Sequence, residues 1–328
     1  VPVTYNKNQR PVNGKRYVKL FIHNIAANDG SSEAWTQAEI NTELAWMRKF
    51  FDGINVCIII LGYDVLQNTN WLNFNAANIN DITRFFDVAD ALDIYLHNTL
   101  MDGSQGMNGK AYGIPNGFLS LARGAIGQRS MAHEMGHAFG LYHTFETVFG
   151  EECPDASDCS GDGDLVCDTP ADFDDDAYKI ANTNVSTCIY IGNRKVDCLT
   201  FPFTDEQTYI PPVKNIMTYG RRTCRSEITY GQATRVNYFL DNNLNGLTAE
   251  GNLTLSAINY TNTNLVKVAV QQISIGSFGN GDMINNGNGF TLLRANRIVL
   301  SPGARFSPGS DGFYKIRPVE DWCSEPSL

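Results

Sequence analysis

The run His133-Glu134-Met135-Gly136-His137-Ala138-Phe139-Gly140-Leu141-Tyr142-His143 constrains this chain more than any other stretch. The first two histidines are four residues apart, so a helix places them on one face, one turn apart. Glu134 shares that turn, close enough to reach a metal-bound water without being a ligand. His143 lies six residues past His137, and a continuous helix would point it away from the pair. Gly140 resolves this, because glycine takes the left-handed conformation that ends a helix and lets the chain turn back. Three neutral ligands with an open fourth position make the catalytic rather than the structural pattern of zinc. A chance match to all five positions is on the order of 10⁻⁵ in a chain of this size. The alternative, a surface helix with satisfied histidines, is hard to hold when three of the chain's five histidines fall here. Ser130-Met131-Ala132 offers a cap followed by good helix formers.

A second segment agrees. Asn215-Ile216-Met217-Thr218-Tyr219-Gly220 follows at a distance, and the extended histidine motif followed by such a Met-turn is the metzincin pattern. Met217 would supply a soft apolar floor beneath the imidazoles, and Tyr219 a phenol able to donate a hydrogen bond to an oxyanion. Three pieces together, His133 to Phe145, the loop from Gly163-Asp164 to Asp168-Thr169-Pro170, and Asn215 to Gln232, resemble the pappalysin family of metzincins. The strong pieces fall between about residues 130 and 235. A weaker likeness reaches upstream to about residue 15, and the last eighty or so residues are not covered.

The resemblance implies an α/β (α+β) metzincin-type catalytic domain over 1–248. Its upper subdomain, about 1–143, has a mixed sheet and helices; its lower subdomain, about 144–248, is mostly irregular. A small β-rich domain over 249–328 follows. The resemblance also implies a structural calcium held by Asp164, Thr169, Asp172 and the carbonyl of Cys167. Independently, residues 151–176 hold eleven Asp or Glu and no Lys or Arg, a repulsion that a hard cation with oxygen ligands would relieve. By the same resemblance Cys188 pairs with Cys224 and Cys159 with Cys198, which leaves Cys153 with Cys167. Some relatives that cut before Arg or Lys carry an Asp just ahead of the cysteine that follows the Met-turn. Here Thr223 stands there, after Arg221 and Arg222, so a specificity pocket at these residues is expected to lack strong Arg or Lys selectivity.

Composition bounds the rest. At 328 residues and 43% hydrophobic the chain can bury a sizeable core. The longest apolar run, Val56 to Leu61, is strand-sized, so no membrane span is expected. The net charge of -10 belongs almost wholly to the acidic loop, and the absence of a basic stripe argues against nucleic acid. Eight cysteines without a C-x-x-C pair point to disulfides in an extracellular protein. Cys57, in an apolar strand, is expected to be a buried free thiol. No signal peptide is visible, and a chain opening on Val is expected to be a processed product.

Along the chain, Arg16 to Ile25, Asn55 to Tyr63 and Ala91 to His97 read as strands. Trp35 to Phe51 and Asp81 to Phe86 read as helices, Ala111 to Ile114 as a short edge strand, and Thr229 to Leu247 as a closing helix. His23 and His97 are lone strand histidines, read as structural. From Gly251, short apolar alternations at Leu265–Val270, Ile273–Ile275, Phe290–Leu293 and Ile298–Leu300 read as a small all-β domain. Residues 288–315 bear a vague resemblance to terminal β-modules of secreted bacterial proteins. The expected chemistry is hydrolysis of peptide bonds in protein or peptide substrates by a secreted monomer, with zinc on His133, His137 and His143 and Glu134 as general base. The alternative from another class is a binding or adhesion protein with a vestigial zinc site, acting through its C-terminal domain.

Overall fold

The computed structural model describes residues 14–199, 202, 204–255, 258–261, 265–275, 282–286, 290–300, 305–307, 313–318 and 323. The start of the expected catalytic domain and parts of 288–315 lie outside the described residues.

Strand β1 (Arg16–Ala26) runs parallel to β2 (Val56–Gln67) on one side and to β3 (Leu92–His97) on the other. β3 pairs in parallel with β5 (Phe118–Ala122), and the short β4 (Gly109–Ala111) closes that edge antiparallel to β5. The order is therefore β2-β1-β3-β5-β4, a mixed α/β sheet. Parallel strands are normally covered on both faces and read as near-continuous apolar runs, and Val56 to Leu61 is buried throughout. Helix α1 (Gln37–Asp52) starts at Thr36, whose side chain and that of Glu39 cap each other's backbone in a capping box. It lays Ile40, Leu44, Met47 and Phe51 into the core with Leu20, Ile22 and Ile94. Helix α2 (Asn80–Phe86) buries Ile82 in the same core. Helix α3 (Ser130–Ala138) carries the first two motif histidines and is buried at every position. Its expected cap is corrected: Ser130 is already helical, and Arg129, in the left-handed region at φ 58°, precedes it without a side-chain cap. After His143 the chain is mostly loop, apart from α4 (Asp176–Ala181) and α5 (Tyr230–Asn242). The closing helix thus ends before Leu247, and a separate 3₁₀ turn spans Asn245–Leu247.

Strand pairing changes character at Glu250. Glu250–Leu255, Leu265–Ile275, Phe290–Ala295 and Phe313–Pro318 lie side by side in one sheet. Ile258–Thr261, Asp282–Asn286 and Arg305–Ser307 form another. Every one of these pairings is parallel. Parallel neighbours need a crossover, and here each sheet's strands serve as the other's crossover, so the chain advances as a coil. The module packs on the outer face of the main sheet. There Cys57, Ile59, Leu61 and Val268 cluster with Tyr17 and Phe21, and the Arg294 guanidinium donates to the Ile60 carbonyl at 2.6 Å.

That packing corrects the expectation for Cys57, which is bonded to Cys323. Its strand is apolar because a second layer covers its outer face, and that layer brings the partner cysteine. Two further pairings differ from expectation: Cys153 joins Cys198, and Cys159 joins Cys167. The reason is local. Gln207 exchanges hydrogen bonds with Asp155, at 2.9 Å each way, and Tyr209 donates to the Glu152 carbonyl at 3.2 Å. These contacts set the paired strands Lys195–Asp197 and Glu206–Thr208, with Cys198, beside Cys153. Cys159 and Cys167 then bracket the tight turn through Gly161 and Gly163. Cys188 is joined to Cys224.

Candidate active site

The three motif histidines converge. Their ligand atoms all lie within 4.8 Å of one another, and among the described residues no other cluster of three His, Cys, Asp or Glu does so. His143 returns to the helix because Gly140 takes φ +95°. The Gly140 and Leu141 amides then close onto the His137 and Gly136 carbonyls at 2.9 Å each. A Cβ at Gly140 would also strike the Phe239 ring, so both conformation and space demand glycine there. His133 Nδ1 donates to the Ile216 carbonyl at 2.7 Å, and His137 Nδ1 to the Leu141 carbonyl at 2.8 Å. A carbonyl can only accept, so these bonds fix the proton on Nδ1 and leave each Nε2 with a bare lone pair. Nε2 of His143 sits 3.3 Å from that of His133 and 3.0 Å from that of His137. His143 can donate to only one of them, so at least two lone pairs face each other unless a cation lies between.

Burial keeps all three rings neutral. It pushes His137 down to about 4 and holds His133 and His143 well below 6.5. Glu134 is buried beside them, and burial raises its carboxyl to about 7 against the opposing pull of the Ala111 amide, which donates to Oε2 at 3.0 Å. Edge strand β4 leaves room for it only because residue 109 is glycine: a Cβ there would lie 2.6 Å from Glu134 Cγ.

The Met-turn packs from below. Met217 is fully buried, and its Sδ would lie 2.6 Å from a Cβ on Gly136, so the sulfur rests directly against α3. The loop is held by Asn215, which accepts from the Met217 amide at 2.9 Å and pairs with Gln232 of α5. The Tyr219 ring stands 4.5 Å from the His143 ring and 5.5 Å from that of His133. Its hydroxyl has no hydrogen-bond partner among the described residues, and burial, then the Glu134 charge, pushes its pKa up to about 12. It is a proton donor at neutral pH.

The residues expected to hold calcium do not all come together. Asp172 accepts from Thr144 at 2.6 Å and Thr218 at 3.0 Å, and pairs with the fully buried Lys179 at 3.2 Å. It braces the residues next to His143 and Tyr219. Asp164 and Thr169 are buried together in the acidic loop, with Cys167 tied in by its disulfide. Sequence reasoning did not single out Glu152, which lies beside Asp164. Glu152 Oε1 and Asp164 Oδ2 are buried without any hydrogen-bond partner. Burial, reinforced by acidic neighbours, raises Glu152 to about 7 and Asp164 to about 8. Two orphaned carboxylate oxygens in one loop suit a hard cation.

Of the expected specificity residues, Arg221 is spent on the Thr183 carbonyl at 3.1 Å, while Arg222 and Thr223 are exposed in the 3₁₀ turn Arg222–Cys224. Arg225, also missed, is buried at 2% exposure with its guanidinium on the Thr218 carbonyl of the Met-turn. His23 and His97 stand apart from the cluster. His23 lies between Asp64 and Asp93, and His97 bonds to the Trp71 carbonyl and to Ser120.

No protein-family model matches the chain. Among curated proteins, an extracellular metalloprotease of Neurospora crassa is 28% identical over 67% of this chain and 73% of its own length. One of Podospora anserina is 27% identical over 68% and 72%. Mature mirolysin of Tannerella forsythia, solved in complex with a cleaved peptide, aligns with a TM-score of 0.48 at 18% identity, over 73% of this chain and 99% of that one.

Proposed function

We propose that this chain is a secreted zinc-dependent endopeptidase, pappalysin-like in its metal motif and Met-turn. Residues 1–248 carry the catalysis, and 249–328 form an accessory β-module. The observation that carries this reading is the convergence of three neutral imidazoles, with the Nε2 lone pairs of His133 and His137 bare, beside a buried carboxylate. The likeness to extracellular metalloproteases over two thirds of the chain supports it. Four disulfides suit an oxidising compartment, and no helix among the described residues is long and apolar enough to cross a membrane.

His133, His137 and His143 would hold zinc through Nε2. When bound, zinc supplies a Lewis acid and lowers the pKa of a coordinated water to roughly 7. Glu134 takes the proton of the attacking water and passes it to the leaving amine. Tyr219 donates a hydrogen bond to the oxyanion of the tetrahedral intermediate. Met217 and the Asp172–Lys179 pair fix the floor and the third histidine. Asp164, Thr169 and Glu152 would hold a calcium, which would fasten the acidic loop. Digestion of casein with and without a chelator tests the reading: loss on chelation and recovery on zinc addition are expected. Intact zinc binding with no digestion of any protein substrate would favour the adhesion alternative.

A further inference from the structure

Among the described residues, Arg225 is the strongly buried cation near the histidine cluster whose charge has no carboxylate partner. Its Nε and Nη2 donate to a single acceptor, the Thr218 carbonyl, at 2.9 and 2.6 Å. Among the described residues no carboxylate lies within ion-pair distance of it, whereas the neighbouring buried Lys179 is matched by Asp172. The guanidinium carbon sits 6.0 Å from the centre of the Tyr219 ring, which itself packs on His133 and His143. Glu134 and Asp176 are the charged groups that offset it from a distance, and the exposed Arg222 adds a second positive charge nearby. A buried, unpaired charge is costly unless something compensates it. A guanidinium with part of its N–H fork unused matches a carboxylate in shape as well as charge.

We propose that Arg225, with Arg222 at its rim, recognises a carboxylate of the substrate close to the scissile bond, so that the enzyme favours acidic sequences. This rests on the peptidase reading above. The carboxylate is an Asp or Glu side chain or the free C-terminus of a short peptide, and the two sources are separable.

The test is a set of quenched peptides with Glu or Gln at each of the two positions on either side of the cleaved bond, each made as free acid and as amide. Glu is expected to exceed Gln in kcat/KM by about tenfold or more at one position. A preference that follows the free terminus instead assigns the same site to the chain end. Arg225→Met should bring the ratio to about one. If that variant does not fold, Arg225→Lys and Arg222→Gln should each shrink the ratio. Equal rates for all peptides, with cleavage still sensitive to chelator, would overturn the carboxylate site and leave the peptidase reading standing. No chelator-sensitive cleavage of any peptide would overturn both.

Discussion

Gly140 and Glu152 show the two ways in which single residues decide this site. Gly140 was legible because its role is local: six residues separate His137 from His143, and only a left-handed turn brings the second back. Glu152 was not legible, because eleven acidic residues between 151 and 176 look alike in sequence. What distinguishes Glu152 and Asp164 is that the fold buries an oxygen of each without a partner. Asp172 is the converse, an acidic residue of the expected set that the fold spends on Lys179, Thr144 and Thr218. Calcium at about a hundredfold over its Kd should raise Tm by roughly 5–10 °C. The pair Glu152→Gln with Asp164→Asn should abolish that rise, while Asp172→Asn should destabilise the protein without abolishing it. A calcium response unchanged in the Glu152/Asp164 pair would place the ion elsewhere.

At the scale of elements, β1, β2, β3 and α1 follow the apolar pattern because each makes a self-contained stripe or run. By contrast, β5 was not legible, and the edge strand lies at Gly109–Ala111 rather than Ala111 to Ile114. Both are too short to show a period and are held by pairing with each other. The edges differ where tertiary contacts extend them, as when β2 reaches Gln67 by pairing along the whole of β1. Disulfide pairing was less legible, since it depends on which hairpin docks beside Cys153. One buried polar element ties the sheet together. His23 of β1 bridges Asp64 of β2 at 2.8 Å and Asp93 of β3 at 3.1 Å, stacked on Tyr95. Burial alone would lower its pKa, but the two carboxylates outweigh burial and raise it to about 9 from 6.5. Burial likewise raises Asp93 to about 7 from 3.8. Both shifts have the same sign for stability. The histidine's contribution is complete below 6.5 and fades as pH rises through about 9; that of Asp93 fades through about 7. Thermal unfolding followed from pH 6 to pH 10 should therefore show a falling Tm, and His23→Gln should flatten the fall. A Tm that rises over this interval would contradict the assignment.

For the whole molecule, the main sheet is covered on one face by helices and on the other by the coiled β-module, with Cys57–Cys323 as a covalent tie across 266 residues. The sequence signalled strands after residue 250 but not their parallel coil, because a coil's pairing partners are set by stacking rather than by turns. The Cys57→Ala, Cys323→Ala double variant should lose about 2–5 kcal/mol and become sensitive to limited proteolysis near residue 249. An unchanged digestion pattern would show that apolar contacts alone hold the module. The proposed chemistry needs Glu134 to act as a base beside a metal it does not bind. Its most direct test is zinc content and peptide turnover measured together on the Glu134→Ala variant. One zinc per chain with turnover lowered by about 10²–10⁴-fold is the predicted result; turnover at the wild-type rate, or loss of the metal, would contradict it.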